Sequence, residues 1–214
     1  MRPRVFCLGL SKTGTSSFRD ALKILGYRVT PMNKRIAREV ERGETAGALE
    51  TIDQAEALED MPWPLLFREI FGRHGTDARY VLTVRTSPEK WLASVKKHQL
   101  QGHIEKALFL RWPGVRYRYA FGFEEEYLRA YEAHNASVRE FFRANGAGHV
   151  LLEACWEDGH GWPELCGLIG CPVPDVPFPH SNADARRPQH RFRAPVHRAA
   201  ARLYAAWHGR RARF

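Results

Sequence analysis

The chain has 214 residues, 44% of them hydrophobic, and a formal charge of +9 at pH 7. That composition suits one globular domain with a sizeable core and argues against a disordered or low-complexity polypeptide. No stretch approaches the ~20 apolar residues of a membrane helix, and four cysteines without CxxC or His–Cys spacing argue against a zinc or disulfide framework.

In chain order, strand and helix signals alternate. Val5–Leu8 is a short apolar run closed by Gly9, too short for a signal-peptide core, so a cytoplasmic address is expected. A polar loop, Ser11 to Ser16, leads into a helix with Phe18, Ala21, Leu22 and Leu25 on one face and Gly26 at its end. Residues 34–60 read as charged helix broken near Gly43 and Gly47, and Leu65–Phe71 as a further helix. Tyr80–Val84 is the clearest strand. Thr86, Pro88 and Glu89 carry helix-start chemistry, and Trp91, Leu92 and Val95 give that helix its apolar face. A long helix is expected over Glu124–Ala144, a strand over His149–Leu152 and a short helix over Trp162–Ile169. A Pro-rich segment follows, and a basic amphipathic helix within 190–214 presents Val196, Ala200, Leu203 and Trp207.

This order predicts an α/β fold: a parallel sheet flanked by helices, in a single domain spanning residues 1–214. Residues 111–123, rich in Arg and aromatics, read as a lid or insertion. Their aromatics, Trp112, Tyr117, Tyr119, Phe121 and Phe123, suit either an acceptor pocket or packing.

The first chemical signal is a strand, then Gly9-Leu10-Ser11-Lys12-Thr13-Gly14-Thr15-Ser16-Ser17, then a helix. Successive backbone N–H groups and a helix N-terminus make a positive concavity suited to phosphate. Gly14 permits close backbone approach, the hydroxyls of Thr13, Thr15, Ser16 and Ser17 add donors, and Lys12 adds a mobile charge. It is not a Walker A motif, because the lysine precedes the glycine. The competing reading is a Ser/Thr-rich helix cap with no ligand.

The second signal is Arg85 at the end of the Tyr80–Val84 strand, with Ser94 two turns into the next helix. An arginine at a strand's carboxyl end faces the ligand crevice of an open parallel sheet, and its fork matches a phosphate. Pairing with a neighbouring carboxylate is the alternative. An ATP-using enzyme commonly ends such a strand in an acid that helps hold Mg²⁺, so arginine favours a second phosphate over a metal.

Lys12-Thr13-Gly14-Thr15-Ser16 after an N-terminal strand resembles the 5′-phosphosulfate loop of sulfotransferases that use 3′-phosphoadenosine 5′-phosphosulfate (PAPS). Leu82-Thr83-Val84-Arg85 through Ser94 resembles that family's 3′-phosphate motif, with Arg85 and Ser94 nine apart where eight is usual. Ser87 reads as the extra residue. Gly161–Cys166, Pro172–Asp175 and Pro177–Asn182 resemble the C-terminal segment of one branch, so the likeness spans residues 4 to about 182.

The resemblance implies a sulfotransferase that moves a sulfuryl group from PAPS to a hydroxyl of a small-molecule or glycan acceptor, releasing PAP, with no metal. It assigns cofactor contacts to Lys12, Thr13, Gly14, Thr15, Ser16, Ser17, Arg85 and Ser94. Asp60-Met61-Pro62 looks like the counterpart of the family's catalytic His-Leu-Pro segment, which makes Asp60 the candidate base and Lys12 its catalytic partner. Asp60 as a helix cap is the competing reading, and His98 and His103 are reserve bases.

Two rival functions stand beside this one. One is a P-loop nucleotide or small-molecule kinase. The other is an anion-binding module that uses the basic C-terminal helix on nucleic acid or a membrane surface. Arg186, Arg187, Arg191 and Arg193, beyond the resembling segment, read either as closing over the nucleotide or as a solvated surface. No nucleic-acid partner and no membrane span are expected.

Overall fold

The computed structural model describes residues 2–100, 119–181, 194–212 and 214. They fall into two compact units, one drawn from Met1–Thr86 and Asn135–Ala183, the other from Ser87–His134 and Asp184–Phe214.

The first unit is built on five parallel strands: β1 Val5–Cys7, β2 Val29–Thr30, β3 Ala57–Leu58, β4 Arg79–Thr83 and β5 Leu151–Ala154. Their spatial order is β2-β3-β1-β4-β5. Side chains alternate across the sheet with the two-residue period of extended backbone. Phe6, Leu8, Tyr80 and Leu82 therefore enter one core, and Val5, Cys7 and Val81 enter the other.

Helices cover both faces, as a parallel sheet requires. α1 (Thr15–Ile24) supplies Phe18, Ala21 and Leu22 to the second core. α2 (Lys34–Glu41), α3 (Ala46–Gln54) and α4 (Phe67–His74) supply Ile36, Ile52 and Ile70 to the first. Later helices are α5 (Pro88–Leu100), α6 (Glu124–Ala144), α7 (Trp162–Ile169) and α8 (Ala194–Trp207).

The expected α/β architecture is the observed one. The segment expected to be helical over 34–60 instead divides into α2, α3 and the strand β3. Gly43, at φ 81°, turns the chain between the helices. Leu65–Phe71 becomes a tight 3-10 turn, Trp63–Leu66, that feeds α4.

The chain leaves β1 toward β2 on one side, and leaves β4 toward β5 on the other. Where connections diverge in this way, the carboxyl ends of the two strands open a crevice. The loop after Cys7 and the segment after Thr83 meet there.

In the second unit, Trp91 stacks on Tyr131 with ring centroids 4.5 Å apart. Buried Gln99 donates to the Tyr127 hydroxyl at 3.3 Å and accepts the Ala120 N–H at 3.0 Å. Tyr119, Phe121 and Phe123 are buried, so they pack the interior of this unit. The apolar face expected of the last helix is corrected: Ala201 and Ala205 are its buried residues, whereas Val196, Leu203 and Trp207 are exposed. Small alanines let a helix approach its neighbours closely, and that decides the face it buries. Residues 111–118 of the expected lid, Trp112 and Tyr117 among them, lie outside the described residues, as do His103 and the arginines at 186, 187, 191 and 193.

Candidate active site

β1 delivers the chain to Gly9, where there is no room for a side chain. A Cβ placed there would lie 1.9 Å from Thr83 Oγ1. The loop packs directly on β4, and Thr13, 1% exposed, fastens it. Its hydroxyl donates to the Leu10 carbonyl at 2.6 Å and lies 2.6 Å from Thr83 Oγ1.

Lys12 holds a left-handed backbone at φ 77°, and Gly14 caps α1 at φ 97°. A lysine in that region costs roughly 1–2 kcal/mol, offset by the surrounding packing. No side chain caps α1 and its first turn carries no acid, which leaves a helix N-terminus suited to an oxyanion. Trp156 closes the back of the loop: its indole N–H donates to the Gly14 carbonyl at 3.2 Å.

The hydroxyls expected to meet phosphate differ in their surroundings. Thr13 is turned into the protein. Thr15 is buried too, at 4% exposure. Ser17 accepts the Ser181 N–H at 3.0 Å, and the Ser181 hydroxyl donates to Asp20 at 2.5 Å. Lys12 and Ser16 are half-buried.

Arg85 stands beside this loop. Its Nη1–H donates to the Lys12 carbonyl at 3.1 Å, while Nε and Nη2 grip both oxygens of Glu157 at 2.9 and 2.6 Å. The carboxylate pairing weighed for Arg85 is thus present, in the same crevice as the loop. Ser94 is half-buried in α5 of the second unit, where His98 also lies.

Two acids close the opposite side. Asp60 has φ 66° and accepts hydrogen bonds from the Ser11 hydroxyl and from the Met61 N–H, the latter at 2.9 Å. It is half-buried, and the structure brings it to the Lys12 loop through Ser11. Its neighbour Glu59 is 2% exposed. Burial, then the adjacent Asp60 charge, pushes the Glu59 carboxyl up from 4.5 to about 7, against the opposing influence of the Thr15 hydroxyl and the Arg19 charge.

Sequence reasoning missed Glu59, Glu157, Trp156 and Thr83 as parts of this site. Glu59 carried one signal: it is an acid following the apolar pair Ala57-Leu58. Beside the loop, Trp156, Trp162, His160, Pro174 and Phe178 line a cleft of about 620 Å³. Among the described residues, no three His, Cys, Asp or Glu side chains cluster as metal ligands, and no helix is long and apolar enough to cross a membrane.

A parallel α/β sheet that carries a glycine-turned lysine loop at one strand end and an arginine at the next is an arrangement suited to oxyanions. A family model described as a sulfotransferase domain matches residues 4–187, and the chain belongs to that family of sulfuryl-transferring enzymes. It is also similar to the Ava biosynthesis cluster protein M of Aspergillus versicolor, with 24% identity over 215 aligned positions. That match spans 83% of this chain and 80% of the fungal protein.

Proposed function

We propose that the protein transfers the sulfuryl group of PAPS to a hydroxyl of a small-molecule or glycan acceptor by in-line displacement. The observation that carries this reading is the proximity of two cationic oxyanion donors, with Arg85 hydrogen-bonded to the main chain of Lys12 at 3.1 Å. One loop then serves the 5′ side of a doubly phosphorylated adenosine, and Arg85 serves the 3′-phosphate. Ser94 joins that second role on the family resemblance alone.

In this scheme the acceptor oxygen attacks sulfur from the side facing away from the nucleotide. An S–O bond to the acceptor forms as the bond from sulfur to the 5′-phosphate's bridging oxygen breaks. Asp60 takes the acceptor proton and later returns it to water. Lys12 and the α1 amides stabilise the charge that develops on the departing phosphate. Sulfuryl carries less charge than phosphoryl, so the described side chains supply the needed stabilisation without a metal. The second unit belongs, in this reading, to the same sulfotransferase domain, and the address is cytoplasmic.

A thermal-shift comparison of PAP, PAPS, ATP and AMP, run once with EDTA and once with Mg²⁺, tests the cofactor. Stabilisation by PAP and PAPS alone is expected. An ATP shift that requires Mg²⁺ would replace this reading with the kinase.

A further inference from the structure

The charge of this chain is unevenly spread. Residues 185–214 contain nine arginines and no Asp or Glu, which equals the whole formal excess of +9. The residues before them carry 24 basic and 24 acidic side chains and balance. A segment of one sign on an otherwise neutral chain points to an anionic partner.

α8 lies within that segment and presents an apolar face to water. Ala201 packs with Tyr119 and Phe121, and Ala205 is buried on the same side. At about 100° per residue, Val196, Ala199, Leu203, Ala206 and Trp207 lie within about 60° of the opposite direction, and all five are exposed. No polar residue of the helix shares that arc. Val196, Leu203 and Trp207 are 66%, 73% and 86% exposed, and an outward face of this kind marks a docking surface.

Cations border the apolar arc. Arg198 and Arg202 emerge on one flank, both exposed, with their guanidinium groups 5.7 and 5.1 Å from the Phe214 ring centre. Phe214 stacks on Phe121 at 4.6 Å, which ties that flank to the interior of the same unit. Beyond the helix end, Arg210 lies 3.6 Å from Glu126 and Arg211 is exposed.

We infer that α8 docks on an anionic phospholipid surface, with its axis in the plane of the headgroups. Val196, Leu203 and Trp207 enter the upper acyl region, and Arg198, Arg202 and Arg211 meet the lipid phosphates and carboxylates. Tryptophan suits that boundary, because its ring has an apolar body and a polar N–H. Fourteen residues make a helix of roughly 21 Å, shorter than the ~30 Å hydrocarbon core, so α8 lies on the bilayer without crossing it. Two other partners fit less well. Nucleic acid would match the charge but leave the apolar arc in water. A second copy of the chain would cover the arc but bring two arginine flanks together.

The test is flotation of the full chain, without nucleotide, on phosphatidylcholine vesicles with and without about one-third phosphatidylserine. Flotation with the mixed vesicles alone is expected, weakening as salt rises. Leu203→Ser with Trp207→Ser should keep its melting temperature, since both side chains are exposed, and lose at least about tenfold in partitioning. Arg198→Gln and Arg202→Gln should each cost about fivefold, whereas the corresponding lysine variants keep binding. No flotation, or equal flotation on pure phosphatidylcholine, would overturn the inference. So would flotation indifferent to the Leu203 and Trp207 changes, the mark of a purely electrostatic contact such as nucleic acid makes. A dimer seen by light scattering that those changes dissociate, with no flotation, would assign the face to a second copy instead. None of these outcomes involves PAP, so the cofactor reading stands or falls separately.

Discussion

Arg85 and Glu157 form a two-pronged ion pair, with N···O distances of 2.9 and 2.6 Å, in the crevice that also holds the Lys12 loop. The pair is partly open to solvent, at 21% and 37% side-chain exposure, so its net worth is at most about 1 kcal/mol. A phosphate that takes Arg85 must first displace Glu157. Removing the Glu157 charge should therefore favour the ligand.

Glu157→Gln is expected to tighten PAP binding by roughly two- to fivefold, as about 1 kcal/mol of competition disappears. Arg85→Ala should weaken PAP far more than AMP, which has no 3′-phosphate. Calorimetric affinities for the two nucleotides check both. Weaker PAP binding in Glu157→Gln would instead make Glu157 the residue that aims Arg85.

Lys12 and Asp60 both sit in left-handed backbone, at φ 77° and 66°, and this permits variants that separate chemistry from folding. Lys12→Gly relieves roughly 1 kcal/mol of backbone strain while removing the ammonium. It should stay folded, with melting temperature undiminished, and lose at least about 100-fold in turnover. Asparagine tolerates the left-handed region as aspartate does, so Asp60→Asn should keep PAP binding and lose about 100-fold or more in turnover. Near-normal rates in Asp60→Asn would remove Asp60 as the base.

The glycine at the loop's turn offers a comparison within one protein. Gly14 and Gly43 have similar backbones, φ 97° and 81°, but a Cβ on Gly14 would lie 2.4 Å from Trp156 Cδ1 and one on Gly43 would meet nothing within 4 Å. Gly43→Ala should cost only the backbone term, about 1 kcal/mol. Gly14→Ala should cost roughly 1–3 kcal/mol more, because the indole must shift out of a packed core. Urea unfolding midpoints measure the difference. Equal losses would mean that Trp156 yields freely.

What the sequence revealed, and what it hid, follows from the range of each interaction. α6, read as Glu124–Ala144, and the strand through Tyr80 were legible because long periodic runs carry their own signal. The loop from Gly9 to Ser17 was legible because its chemistry is local. β2 and β3 were not: each is two residues long, and they exist only by pairing, Val29 with Ala57 and Thr30 with Leu58. Without β3, Glu59 had no strand end to occupy, and it read as one more charge in a helical segment. Glu157 is 72 residues from Arg85 and Trp156 is 142 from Gly14, separations that no local pattern bridges.

The buried Glu59 also sets how stability responds to pH in the absence of nucleotide. Its carboxyl binds a proton more tightly in the fold, at about 7, than in the unfolded chain, near the ordinary 4.5. The neutral form is the one the fold prefers. Its contribution is therefore fully present below about 4.5 and is lost as pH rises through about 7. The loss amounts to roughly 3 kcal/mol at most, since each pKa unit corresponds to about 1.4 kcal/mol. Unfolding free energies of the wild-type protein should thus decline between pH 5 and 8 relative to Glu59→Gln, whose side chain has no proton to lose. Urea titrations at pH 5, 6.5 and 8 follow that gap. Parallel profiles for the two proteins would show that Glu59 is ionised in the fold throughout this range, with Arg19 rather than a proton balancing its charge.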